Sequence, residues 1–337
     1  MKIIANSIGI EVVDSAPDAP HLPVVLLIMG LGMQLIAWPP GMLRALINTG
    51  YRVICFDNRD SGLSDKIDAL GMPNLFWQGL KLKLGLSIKP PYSVHDMALD
   101  ALGVLDALQI ERAHIVGVSM GGMVAQRVAL MKPQRVLSLT SIMSSSGARG
   151  LPAATPAVTR QLLSRPNGKG KSAAIEHSVK LFKAIGSPDF PPEEAFLRER
   201  VTIAAERSFN PPGIARQMMA IVADSTRASQ LASIVIPTLV LHGKADPLVP
   251  FACGQDTARR IPGARLVGID GMGHDLPPGV VEHLLAHMLP HLQTANQPRQ
   301  NSLTHLNSPN WAKYQAILTS TMRRCSFQFR VLTSALN

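Results

Sequence analysis

The chain has 337 residues, 46% of them hydrophobic and 17% charged, which suits one large domain or two small ones and excludes an intrinsically disordered chain. No apolar run reaches the ~18 residues of a membrane span, and Met1–Asn6 is too short in apolar length for a secretory signal. The net charge of +10 shows no basic stripe and few aromatics, so it argues against a nucleic-acid partner.

Lys2–Ala5 and Ile8–Val13 read as a short hairpin, and Pro23–Met29 is continuously apolar, as a strand covered on both faces must be. Met42–Thr49 has helical spacing and stops at Gly50; Tyr51–Phe56 is the next strand, with Cys55 a small apolar filler. Val94–Leu108 is a helix, and Ala113–Val118 and Arg135–Met143 are buried strands on either side of a helix at Met120–Met131. Such alternation predicts parallel strands joined by right-handed crossovers. Ser144–Pro156 and Pro166–Lys171 break the pattern as loops. Ala173–Ile185, Glu193–Ala205 and Ile214–Ala223 are amphipathic, with no strand between them. Residues 144–232 therefore read as a helical cap between two parts of a core, 1–143 and 233–292. Strands resume at Ile236–Leu241 and Ala264–Val267, and a last helix covers Gly279–His291.

Residues 293–337 form an atypical tail with five basic residues and no acidic one, so they carry half of the net charge. It reads either as an appended segment or as an oligomerisation or membrane-surface element, which leaves a homo-oligomer open. Cys55, Cys253 and Cys325 are scattered and odd in number, favouring a reduced, cytoplasmic compartment.

The most informative stretch is Gly117-Val118-Ser119-Met120-Gly121, where an apolar strand meets a helix. Gly-x-Ser-x-Gly at such a junction is the spacing of a nucleophile elbow, a turn tight enough to strain the serine and expose its hydroxyl. A helix-capping turn is the plainer alternative; a phosphate loop lacks its lysine. A serine hydroxyl needs a base, and the base needs an orienting acid. His274, in the glycine-flanked loop Gly271-Met272-Gly273-His274, is the candidate base. Asp246, just past the Ile236–Leu241 strand, is the candidate acid, with Asp275 as rival. The N–H of Met120, at the helix N-terminus, and that of Leu31, in Met29-Gly30-Leu31-Gly32-Met33, are candidate oxyanion donors. Met33, Trp38, Met218 and Met219 suggest an apolar substrate pocket, or equally the packing of cap on sheet. His242 shapes a turn. His283, His287 and His291 recur as a helix stripe without a completing carboxylate set, so no metal site is expected. Arg59 and Asp60, in Asp57–Ser64, pin neighbouring loops.

Together Met29–Met33, Asp57–Ser64, Gly117–Gly122, Asp246 and His274 resemble the landmarks of the alpha/beta-hydrolase superfamily, over about residues 1–292. The resemblance implies a mostly parallel eight-stranded sheet flanked by helices, a helical cap, a serine site and no cofactor. More narrowly, Leu27–Gly32, Trp38-Pro39 and Phe56–Asp60 are similar to bacterial carboxylesterases related to the anthracycline methylesterases. Many relatives carry His-Gly where this chain has Met29-Gly30, which puts the hydrogen bonding of that loop in question. The expected activity is hydrolysis of small to medium apolar esters, methyl esters included, through an acyl-enzyme. Perhydrolase and carbon–carbon bond hydrolase chemistry would use the same serine machinery, and a non-catalytic ligand receptor is a rival from another class.

Overall fold

A computed structural model describes residues 1–74, 77–78, 81, 86 and 88–296. Among these, eight strands form one sheet: β1 (Lys2–Ala5), β2 (Ile8–Asp14), β3 (Val24–Ile28), β4 (Arg52–Phe56), β5 (Ala113–Val118), β6 (Val136–Ile142), β7 (Thr238–Gly243) and β8 (Arg265–Ile269). Their order is β1-β2-β4-β3-β5-β6-β7-β8; only the pairings of β1 with β2 and β2 with β4 are antiparallel. The β1–β2 turn uses Asn6 and Ser7 at φ 49° and 64°, the left-handed pair that a two-residue hairpin favours.

Every residue of β3 is buried because both sheet faces are covered. Val24, Leu26 and Ile28 enter one apolar cluster and Val25, Leu27 and Met29 the other, following the two-residue period of a strand. The first cluster is closed by α2 (Val94–Ala107) and α3 (Met120–Met131), the second by α1 (Pro40–Asn48) and α10 (Pro278–Asn296). The chain leaves β3 toward β4, then crosses back to β5 on the other side. That reversal opens a crevice at the carboxyl ends of β3 and β5, where open α/β sheets bind ligands.

Between β6 and β7 lie the helices α4 (Pro156–Leu163), α5 (Gly170–Ile185), α6 (Glu194–Arg207), α7 (Pro211–Ala223) and the single turn α8 (Arg227–Gln230); α9 (Phe251–Arg260) follows β7. Sequence patterning missed α4 and α9. In α4 only Val158 is buried while Leu162 and Leu163 stay exposed, so no apolar period marks it. The buried face of α9 is Cys253, Gly254, Asp256 and Thr257, small and polar residues that hide an amphipathic pattern. Helix α10 also runs through Pro290 to Asn296, so Gln293–Asn296 are helical rather than loop. The rest of the tail lies outside the described residues.

That extension matters for His114, fully buried in β5. Ser138 Oγ lies 2.8 Å from its Nδ1, and Asn296 Oδ1 accepts from its Nε2 at 2.8 Å. Burial lowers its pKa to about 4, and burial lowers that of His291 to about 4 as well. An unfolded histidine titrates at about 6.5. The stabilising effect of keeping these rings neutral is complete above that value and is lost as pH falls through about 4. Melting temperature should therefore fall between pH 7 and pH 4.5. The non-titrating His114→Gln should remove about 2–3 kcal/mol of that dependence, measured by thermal melts across the range.

Candidate active site

Ser119 lies between β5 and α3 with φ 55° and ψ −119°, a strained backbone for a residue bearing a side chain. The crowding behind it explains the glycines. A Cβ on Gly117 would stand 2.1 Å from the Gly121 carbonyl oxygen, and one on Gly121 2.0 Å from that of Ile28. Flanking strands hold the turn: Ser119 N–H donates to Ile142 O at 2.9 Å, and Ser144 Oγ donates to Ser119 O at 2.7 Å. Because the obstacle to Gly121 is backbone, relief requires moving β3 or α3. Gly121→Ala should destabilise the fold by about 2–4 kcal/mol, checked by denaturant unfolding.

Ser119, His274 and Asp246 come together although they are far apart in the chain. His274 Nε2 is 3.0 Å from Ser119 Oγ, and His274 Nδ1 is 2.7 Å from Asp246 Oδ2. Asp246 Oδ1 accepts the N–H groups of Leu248 and Val249 at 2.9 and 2.8 Å, so both carboxylate oxygens are occupied and the group cannot turn. Burial alone would raise the Asp246 carboxyl; His274, His242 and the Val249 N–H outweigh it and bring its pKa down to about 2. The carboxylate thus stays ionised and an acceptor for Nδ1–H, which leaves the Nε2 lone pair facing the serine.

The rival Asp275 points elsewhere. It accepts from the backbone N–H of Ser187 at 3.0 Å and from its hydroxyl, just past α5, and burial raises its carboxyl pKa. The same segment clasps the histidine loop, with His274 N–H on Ile185 O at 2.7 Å and Gly273 N–H on Ser187 Oγ at 2.9 Å. His242 does shape its turn, as its Nε2 donates to Val249 O at 2.7 Å, but it also lies 3.5 Å from Asp246 Oδ2.

The turn after β3 abuts the serine: a Cβ on Gly30 would be 3.3 Å from Ser119 Cβ. Met33 N–H closes the turn on Gly30 O at 3.2 Å, and Gly32 takes φ +66°. Met120, with its N–H at the first position of α3, is fully buried. Methionine in place of histidine at position 29 does not leave this loop unheld. The side chain of Met29 joins the core, Asn58 Nδ2 donates to its carbonyl at 2.9 Å, and Asp57 Oδ1 accepts Leu35 N–H at 2.7 Å.

Asp57–Ser64 is a charged hub. Arg59 makes a forked pair with Asp100 (2.6 Å on each arm), and Asp60 with Arg216 of α7 (2.8 and 2.6 Å). Asp60 also accepts the Tyr92 hydroxyl at 2.8 Å, and Arg207 of α6 reaches Asp57 at 2.8 Å. Both α6 and α7 are therefore anchored to the loops around the crevice. Reading the sequence placed Asp57 only within the Asp57–Ser64 stretch, and overlooked Arg207, Arg216, Gln217 and Ser187. Only the polar pair Arg216-Gln217, set among Ile214, Met218, Met219 and Ile221, could have signalled an internal anchor.

Of the pocket candidates, Met33 and Met218 are half-buried, whereas Trp38 (1% exposed) and Met219 (3%) are buried. Trp38 packs in the core cluster with Leu35 and Met42. In the histidine stripe, His283 lies edge-on to Phe190, and His287 offers its backbone carbonyl to Arg265.

Residues 23–277 match a family model described as the alpha/beta hydrolase fold. The chain belongs to this family. It is 31% identical to a rhodomycin D methylesterase of Streptomyces sp. over 85% of this chain and 94% of that protein. To the rhodomycin D methylesterase of Streptomyces peucetius it is 29% identical, covering 82% of this chain and 92% of the relative. The resemblance to anthracycline methylesterases is borne out at this level. Among solved structures, the enol-lactonase of Burkholderia xenovorans LB400 shares the fold with a TM-score of 0.65 at 20% identity, over 87% of this chain and all of that one.

Proposed function

We propose that this protein is a serine-dependent carboxylic-ester hydrolase working through an acyl-enzyme. The observation that carries the reading is the unbroken hydrogen-bonded line from Ser119 Oγ through His274 to Asp246. Ser119 attacks the acyl carbon as His274 Nε2 takes its proton, and Asp246 holds the ring and stabilises the imidazolium that forms. The N–H groups of Leu31 and Met120 receive the oxyanion, the latter aided by the positive end of α3. His274 then protonates the departing alcohol. It next activates water, which attacks the acyl carbon and releases the acid.

The substrates in this reading are small to medium apolar esters, and the methylesterase relatives support methyl esters among them. Met33 and Met218 would line the acyl or alcohol side, with Trp38 and Met219 as apolar backing. In this reading, residues 144–232 act as a cap that excludes water from the crevice. The test is labelling with a fluorophosphonate, mapping the modified residue by mass spectrometry, then assaying a panel of esters of increasing chain length. Labelling at Ser119 with ester turnover is expected; turnover without modification of Ser119 would overturn the proposal.

A further inference from the structure

Gln217 lies inside α7, fully buried, with its whole carboxamide engaged. Its Oε1 accepts the Gly32 N–H at 2.8 Å; its Nε2 donates to Arg59 O at 2.8 Å and to Ser61 Oγ at 3.0 Å. The orientation of the amide is forced, because a backbone N–H can only donate and a carbonyl can only accept. This side chain thus bridges the turn after β3 and the charged loop after β4, from a helix inserted between β6 and β7.

The bond to Gly32 falls at the turn's least secure point. Gly30-Leu31-Gly32-Met33 closes with Met33 N–H on Gly30 O and has its positive φ at the third residue, the form of a type II turn. Type I and type II turns differ by a rotation of the central peptide, here Leu31–Gly32. Its N–H is the group that Gln217 holds. Glycine adds no side-chain barrier to that rotation. Ile214, also in α7, covers the same glycine: a Cβ there would stand 3.0 Å from Ile214 Cγ1. The next peptide back, Gly30–Leu31, carries the Leu31 N–H and lies against Ser119.

We propose that Gln217 is a positioning residue for the oxyanion site: from α7 it locks the Gly30–Met33 turn and so fixes the Leu31 N–H for the transition state. This rests on the serine-esterase reading above. Preorganisation is what makes such a donor effective, so loosening it costs transition-state binding and not substrate binding.

The experiment compares wild type, Gln217→Met, Gln217→Glu and Asn210→Ala on one chromogenic ester and on a trifluoromethyl ketone, which forms a tetrahedral adduct with a serine. Gln217→Met keeps the volume and removes every hydrogen bond. It should lower kcat about 10- to 100-fold with KM within about twofold, and weaken the ketone by the same factor. Gln217→Glu keeps an acceptor for Gly32 N–H and should recover part of that loss. Asn210→Ala strips the α7 cap contact to Gly213 N–H and the Asn210 Nδ2 bond to Asp60 O, and leaves both the Gly30–Met33 turn and the Gln217 carboxamide with all their partners. It should lower Tm by roughly 2–4 °C and leave kcat unchanged. Equal kcat in Gln217→Met and wild type, or a kcat loss without a matching loss of ketone affinity, would overturn the positioning role while leaving the serine reading intact. If Gln217→Met fails to fold, Gln217→Glu decides: wild-type ketone affinity despite lowered kcat refutes the proposal. Failure of the underlying reading would show separately, as undiminished turnover in Ser119→Ala.

Discussion

Ser119→Ala should lower ester turnover by about a millionfold while the protein keeps its fold. The size follows from how such a site works. Nucleophile and base act as one unit, so removing the hydroxyl deletes the acyl-enzyme route and not one contribution among several. What survives is the slow background supported by substrate binding and the oxyanion donors. Stability should hardly fall, because alanine keeps the Cβ and relieves no backbone strain: φ 55° at this position is imposed by the flanking strands. The measurement is single-turnover hydrolysis with thermal unfolding on the same preparation. Residual turnover within a hundredfold of wild type would show that another group performs the attack.

Asp246→Asn should have the second large effect, a loss of about ten-thousandfold in kcat. Oδ1 of this residue is tied to the N–H groups of Leu248 and Val249, both of which need an acceptor. An asparagine must therefore place its oxygen there and aim its NH2 at His274 Nδ1. The imidazole then has to accept at Nδ1 and carry its proton on Nε2, where it cannot take one from Ser119. Asp275→Asn should cost less than tenfold, since Asp275 serves Ser187 and not the imidazole. The comparison of kcat for the two variants on one ester decides between the acids; equal losses would contradict the geometry. Because the Asp246 carboxyl is held at about 2, activity should lose no carboxylate on acidification to pH 4. Its share of stability is present above the unfolded value of about 3.9 and is lost only as pH falls through about 2.

Much of this architecture could be anticipated because its signals are local. A run such as Val24–Ile28 admits little but a strand covered on both faces, and the hydrophobic period of Val94–Ala107 admits little but a helix. The elbow is legible for the same reason: two glycines around a serine encode a clash between atoms four residues apart, as the 2.1 Å approach at Gly117 shows. The helices α4 and α9 escaped notice because their buried faces hold a lone valine or small polar groups.

Local chemistry thus reached as far as a candidate nucleophile, a candidate base, and two acids between which it could only weigh position. Packing chose between them. Asp246 meets the imidazole because β7 lies beside β8 and delivers it to the same rim, while Asp275 turns toward α5 and Ser187. The anchoring of the Gly30–Met33 turn by Gln217, 185 residues from Gly32, belongs to that second kind of information. A glutamine within an apolar helix carries no mark of its partner, and only the folded arrangement of α7 over the crevice brings an acceptor to that N–H.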